Sequence, residues 1–217
     1  MKNKNPYSFK NNELDFDVFA SSILHKTVNQ LLEANKKDIN IGLSGGNTPI
    51  PILEKLKDKD VNWERINFFM VDERCVPLTS DLSNFGNISK AFFSKIDSKS
   101  FSLVQENKSF EDSLFEYQRE ISENVKIGEN GFPVFDLILL GMGDDGHTAS
   151  LFPKTEALAE KKQIAVINKV PQLNTKRLTL TYPSILNAKE IIVIVKGSNK
   201  EKMIKQIILR RNKRLKT

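Results

Sequence analysis

The chain has few of the residues that brace a protein from outside its core. Cys75 is the only cysteine in 217 residues, which excludes an intrachain disulfide framework and a thiolate metal cage. No apolar run approaches the roughly 20 residues that cross a bilayer, and the leading MKNKNPYSFKNNELDFD has no apolar stretch of the kind a signal peptide needs. Histidine is scarce as well, with His25 and His147 alone. These absences point to a cytoplasmic protein with no membrane partner.

What is present is ordinary for a folded domain: 39% hydrophobic and 28% charged residues. The net charge of +6 sits largely at the two ends, in Lys2, Lys4 and Lys10 and in the tail RRNKRLKT. Basic ends of this kind are solvated, and no aromatic–basic stripe or helix-turn-helix pattern accompanies them, so no nucleic-acid partner is expected. A positive balance also suits an enzyme that holds an anionic substrate.

Hydrophobic periodicity lays out the elements. Phe16, Phe19, Ala20, Ile23, Leu24, Val28, Leu31 and Leu32 recur at helical spacing, predicting a helix from about Asp15 to Lys37 with Asp15 as its cap. Residues 39–43 read as a short strand running into a glycine loop, Ser44-Gly45-Gly46-Asn47. Thr48-Pro49 then starts a helix, the threonine capping it and the proline in its first turn. The rhythm recurs with a strand over 66–71 that ends at Asp72-Glu73-Arg74, a helix over about 84–93, a strand around 101–104 and a helix over 110–125. A strand over 134–140 breaks at Gly141; strands follow near 164–167, 178–181 and 191–195, and a last helix over about 198–209.

Near-continuous Ile/Leu/Val strands alternating with helices predict an α/β fold: a mostly parallel, doubly wound open sheet of Rossmann-like type with helices on both faces. No repeat or linker interrupts it, so 1–217 reads as one domain. Ligands of such sheets bind at the carboxyl ends of the strands. Ser44–Gly46, Asp72–Arg74, Gly141–His147 and Gly197–Lys200 each follow a strand, so the four are expected to converge on one site.

Gly141–His147 (GMGDDGH) has the form of the dinucleotide fingerprint G-x-G-x-x-G. That reading needs a long helix after the last glycine and an acid at the end of the next strand. Pro153 comes too soon, and the strand near 164–167 ends in Asn168. A tight turn alone leaves His147, beside Asp144 and Asp145, unexplained at a strand end. An imidazole takes a proton from water near neutrality and returns it, and an adjacent carboxylate fixes its tautomer. His147 is therefore the candidate base, whereas His25, mid-helix between Leu24 and Lys26, reads as a surface or flank residue.

Gly42–Gly46 (GLSGG) has the form of the serine-hydrolase elbow G-x-S-x-G. It follows the first strand, however, with no HGGG-type loop to make an oxyanion hole. Running into Asn47-Thr48-Pro49, it better suits backbone N–H groups cradling an anion at a helix N-terminus. Of Asp72, Glu73 and Arg74, the arginine offers a planar donor fork suited to phosphate or a developing oxyanion, and Glu73 is a candidate for a structural ion pair. Cys75 reads as a small packing residue, and Trp63, Met70 and the phenylalanines as core.

SGGNTP (44–49), VDERCVP (71–77) followed by Ser83-Asn84, LGMGDDGHTASLFP (140–153), RLTLTYP (177–183) and GSNK (197–200) occur in this order. Together they resemble the 6-phosphogluconolactonases of the pentose phosphate pathway, within the superfamily that also holds glucosamine-6-phosphate isomerase/deaminases. The deaminases carry D-E-Y where this chain has Asp72-Glu73-Arg74 and a glutamate where it has Phe152, so the resemblance favours lactone hydrolysis. An isomerase/deaminase-like enzyme and a non-catalytic sugar-phosphate-binding domain are the alternatives.

The resemblance implies His147 as general base, Asp145 as its orienting partner and Arg74 on the phosphate or the carbonyl oxyanion. It further implies sugar-phosphate contacts from Ser44, Gly45, Gly46, Thr48, Asp72, Arg177 and Lys200. It implies no cofactor and no metal, a small sugar phosphate lactone as partner, and a monomer or weak homodimer. Relatives continue past G-x-x-K with another strand and a helix carrying a tryptophan and an aspartate. This chain ends in LRRNKRLKT, so a C-terminally shortened domain with an uncovered sheet edge is expected.

Overall fold

The computed structural model describes the backbone of residues 13–214 and the side chains of 16–209. Five strands, Ile39–Leu43 (β1), Ile66–Met70 (β2), Lys99–Phe101 (β4), Leu137–Leu140 (β5) and Ile191–Val193 (β8), form a parallel sheet in the order β4-β2-β1-β5-β8. Every residue of β1, β2 and β5 is buried, which requires cover on both faces and accounts for their nearly unbroken apolar sequences. The cover includes helices Glu13–Ala34 (α1), Pro49–Leu56 (α2), Asn84–Ala91 (α3), Phe110–Asn124 (α4) and Tyr182–Leu186 (α5); Glu201–Arg214 (α6) follows, with no buried residue among its described side chains. α1 buries Ala20, Leu24, Val28 and Leu32, one residue per turn on one face. No described helix is long and apolar enough to cross a membrane.

A second sheet departs from the expectation of a single one. Asp72–Arg74 (β3), Ala165–Val170 (β6) and Thr175–Leu180 (β7) form an antiparallel sheet in the order β3-β7-β6. Val71 joins the two: its N–H donates to Leu43 of the parallel sheet at 3.0 Å, and its carbonyl accepts from Leu180 of the small sheet at 2.9 Å. The segment Asp72–Arg74, read from sequence as a strand terminus, thus continues as a strand in a new direction. The sequences of β6 and β7 carry the signal, because Asn168, Lys169, Lys176 and Arg177 interrupt the apolar run as half-exposed antiparallel strands do.

Several boundaries also differ. α1 begins before Asp15, so Asp15 is not its cap, and it ends at Ala34 rather than Lys37. Arg65 donates to the carbonyls of Leu32, Asn35 and Lys37 at 3.3, 2.7 and 2.9 Å, satisfying oxygens that the ended helix frees. β4 lies two residues earlier than expected, while Leu103 and Val104 are buried in the connection that follows. His25 is the flank residue anticipated, its Nε2 donating to the carbonyl of Asp60 at 3.0 Å. Trp63 and Met70 belong to or pack on the core, but Phe115 is 68% exposed. Lys2, Lys4, Lys10 and the side chains from 210 onward lie outside the described residues.

Candidate active site

The strand order places the site. From β1 the chain steps outward to β2 and β4, then returns to lay β5 on the other side of β1. The crevice between the carboxyl ends of β1 and β5 is therefore the point where the winding reverses, the place where open α/β sheets bind ligands. A cavity of about 250 Å³ lies there, lined by the loop 44–49, Asp72, Arg74, Asn84, Gly141–Gly143, His147–Ala149 and Lys200. The four strand-end segments do converge, the last through Lys200 alone. Arg177 does not line the cavity; it stands opposite Arg74 in the β3–β7 register, half-buried.

The loop after β1 is shaped for close approach. Gly46 sits at φ +101°, a conformation open to glycine. At Gly45 the requirement is space, since an added Cβ would stand 2.3 Å from Cγ and Oδ1 of Asn84. Asn84 is held in turn, donating from Nδ2 to the carbonyl of Asp72 at 3.0 Å. Gly45→Ala is therefore expected to lower stability by about 1–3 kcal/mol through overpacking, read as a lower urea midpoint at unchanged slope; an unchanged midpoint would remove this role for Gly45. Thr48 occupies the position before α2 in helical conformation and makes no side-chain capping bond, contrary to the expected cap. Ser44 is 3% exposed, and its hydroxyl has no hydrogen-bond partner. Among the described residues the Ser44 hydroxyl therefore meets no histidine, which leaves the serine-hydrolase reading without its base.

Asp72, Glu73 and Arg74 divide by strand alternation: residues 72 and 74 of β3 face the cavity and residue 73 faces away. Glu73 is fully buried and is not an ion pair. Its carboxylate accepts from the backbone N–H groups of Arg74, Asn84 and Phe85, each at 2.7 Å, and from the Ser83 hydroxyl at 3.1 Å. Asn84 and Phe85 open α3, so Glu73 caps that helix from a neighbouring strand. Asp72 accepts from the Ser150 hydroxyl at 2.7 Å. Burial pushes its carboxyl above the ordinary value, against the Ser150 bond and the charges of Arg74, Arg177 and His147. One guanidinium nitrogen of Arg74 donates to the carbonyl of Leu82 at 2.6 Å, which anchors the fork at the cavity wall.

Between Gly141 and Leu151 the chain folds tightly on itself. Gly143 donates to the carbonyl of His147 at 2.8 Å, Gly146 turns at φ +85°, and the Thr148 hydroxyl donates to the carbonyl of Gly141 at 2.9 Å. His147 Nδ1 lies 2.5 Å from Asp145 Oδ1, which also accepts from the His147 backbone N–H at 3.1 Å. Burial alone would raise the Asp145 carboxyl, but these bonds and the His147 charge hold it below the ordinary carboxylate range. With Nδ1 on the carboxylate, Nε2 is the nitrogen left for chemistry. Lys200 donates its ammonium to the carbonyl of Met142, fixing a second cation at the wall.

Sequence reasoning singled out neither Asn84 nor Ser150 as site residues, although both lie inside the motif segments. Asn84 lines the cavity and positions Asp72 and Gly45, and Ser150 holds the Asp72 carboxyl. Their signal is weak because each acts through a neighbour far away in sequence.

This chain has clear relatives. A family profile described as glucosamine-6-phosphate isomerases/6-phosphogluconolactonase matches residues 15–215. A 6-phosphogluconolactonase of Chlamydia pneumoniae is 38% identical over 176 residues, which cover 77% of this chain and 64% of that protein, somewhat under two thirds of its length. One of Thermotoga maritima is 34% identical over 192 residues, 88% of this chain and 83% of its own. The crystal structure of a 6-phosphogluconolactonase from Thermotoga maritima superposes with a TM-score of 0.82 at 30% identity, covering 94% of this chain and 89% of that one. With the cavity, the histidine–aspartate pair and the strand order in the same frame, the chain belongs to the glucosamine-6-phosphate isomerase/6-phosphogluconolactonase family.

Proposed function

We propose that this protein hydrolyses 6-phospho-D-glucono-1,5-lactone to 6-phosphogluconate, the lactonase step of the oxidative pentose phosphate pathway, with water activated by His147. The observation that carries this reading is the 2.5 Å contact between His147 and Asp145 at the wall of a cavity made cationic by Arg74 and Lys200. Relatives that cover most of this chain bear that activity in their names.

Nε2 of His147 takes a proton from water as the oxygen attacks the lactone carbonyl carbon, and Asp145 stabilises the imidazolium that forms. The tetrahedral oxyanion then collapses. The bond from carbon to ring oxygen breaks, and the imidazolium returns its proton to that oxygen, leaving a hydroxyl and a carboxylic acid that ionises. A lactone is an activated ester, so a placed water, a base and oxyanion donors suffice, and no metal or cofactor takes part.

Arg74 and Lys200 at the cavity wall are the cations for the phosphate and the oxyanion, and Arg177, set back beside Arg74, adds its charge to theirs. Ser44, Gly45, Gly46 and Thr48 supply further donors at the loop, and Asp72 contacts the sugar. Residues 1–217 act as one domain, a cytoplasmic monomer or weak homodimer.

The test is a direct assay. Purified protein is expected to speed the loss of the lactone above its spontaneous hydrolysis, with the rate unaffected by a chelator. It is expected to release no ammonia from glucosamine 6-phosphate. Ammonia release would transfer the reading to the isomerase/deaminase branch, and tight binding of the phosphosugar without turnover would make the chain a binding domain.

A further inference from the structure

Phe152 is 6% exposed, yet it stands outside the contiguous apolar core. It also does not line the cavity. The ring it meets is that of His147: the centroids are 3.9 Å apart and the planes 29° from parallel, a stacked pair. Aromatic rings held this way exclude water from one face of the imidazole and restrict its rotation.

A second element confines the same ring. An added Cβ on Gly143 would stand 2.1 Å from Cε1 and 2.2 Å from Nδ1 of His147. Gly143 does not need glycine for a positive φ, unlike Gly146. What it provides is room for the imidazole edge that reaches Asp145.

Phe152 is itself held in place. Its carbonyl accepts from the Thr155 hydroxyl at 2.8 Å; that hydroxyl accepts from Asn168 Nδ2 at 3.0 Å, and the same amide donates to the carbonyl of Ser150 at 2.8 Å. Asn168 lies on β6 and is 2% exposed. The small sheet thus fixes the segment that carries Phe152, while the parallel sheet, through β5, carries Gly143 and His147.

We propose that Phe152 is a positioning residue for the reaction: with the space left at Gly143 it forms a slot that holds the His147 ring in one orientation, Nδ1 on Asp145 and Nε2 free. The small sheet, whose β3 brings Asp72 and Arg74 to the cavity, then serves the reaction a second way through β6, which sets where Phe152 stands without itself lining the cavity. Only the kinetic half of this assignment rests on reading His147 as the base.

Phe152→Leu keeps an apolar, buried side chain but removes the flat ring. Nitrogen NMR of the imidazole, recorded without substrate, is expected to show a single Nδ1–H tautomer for His147 in the neutral wild-type ring and an averaged mixture in the variant. Lactone kinetics are expected to show kcat lower by on the order of tenfold or more, as for a group displaced from its reacting position, with KM within about twofold and the pH profile shifted. An unchanged tautomer signal in a folded Phe152→Leu protein overturns the slot, whatever the kinetics do. A changed signal with unchanged kcat supports the slot and overturns only the use of His147 as base. Should Phe152→Leu fail to fold, Gly143→Ala addresses the same ring from its other contact, and an unaltered tautomer signal there overturns the proposal equally.

Discussion

Replacing His147 by glutamine is expected to slow lactone hydrolysis by about 10²–10⁴-fold, the range in which a positioned general base contributes. Glutamine keeps a side-chain amide near Asp145, so the loop 141–147 retains its hydrogen bonds and the fold remains, but it accepts no proton from water. KM is expected to change little, because the cations that bind the phosphosugar lie elsewhere: Arg74 is anchored on Leu82 and Lys200 on Met142. The residual rate of the variant is expected to follow spontaneous hydrolysis. Asp145 remains the ionised partner of the ring in the wild type, since its carboxyl is held below the ordinary carboxylate range. Stopped assays with the spontaneous rate subtracted, beside thermal unfolding of both proteins, make the measurement. A His147→Gln protein that melts like wild type and retains its kcat would remove the base from the mechanism.

The parallel sheet and the strand-end loops were legible in the sequence because each carries a local signal. β5 is an unbroken apolar run and β1 is interrupted only by Asn40 and Gly42, and each ends at a glycine-bearing loop. His147 was legible because a histidine that follows a strand end and two aspartates has few structural uses. The small antiparallel sheet was not. A three-residue strand has no period to detect, and β3 is recognised only by its pairing with residues 177–179, about a hundred positions later. Thr48 illustrates the opposite error, since Thr-Pro is a helix-start signal, yet the backbone there is already helical and the hydroxyl caps nothing. Phe152 lies five residues beyond His147, a separation at which no periodicity predicts contact. Their stacking depends on the tight turn between them, where Ala149 sits at φ +51°.

Glu73 is the clearest case of a motif acid whose work is structural, and its removal is the second large effect expected. Glu73→Ala deprives three backbone N–H groups and one hydroxyl of their acceptor in a place with no exposure to solvent. Leaving such groups buried and unpaired costs on the order of 3–5 kcal/mol, a large part of the about 5–15 kcal/mol that holds a domain folded. Glu73→Gln retains the volume but turns an amide N–H₂ toward some of these donors, so an intermediate loss is expected. Chemical unfolding followed by circular dichroism measures both. If Glu73 instead contacted substrate, Glu73→Gln would lower kcat while its unfolding midpoint stayed at the wild-type value, and that result would overturn the assignment. The functional consequence follows from strand alternation. By docking β3 onto the start of α3, Glu73 turns Asp72 and Arg74 together toward the cavity, so in the partly destabilised glutamine variant substrate affinity is expected to fall along with stability.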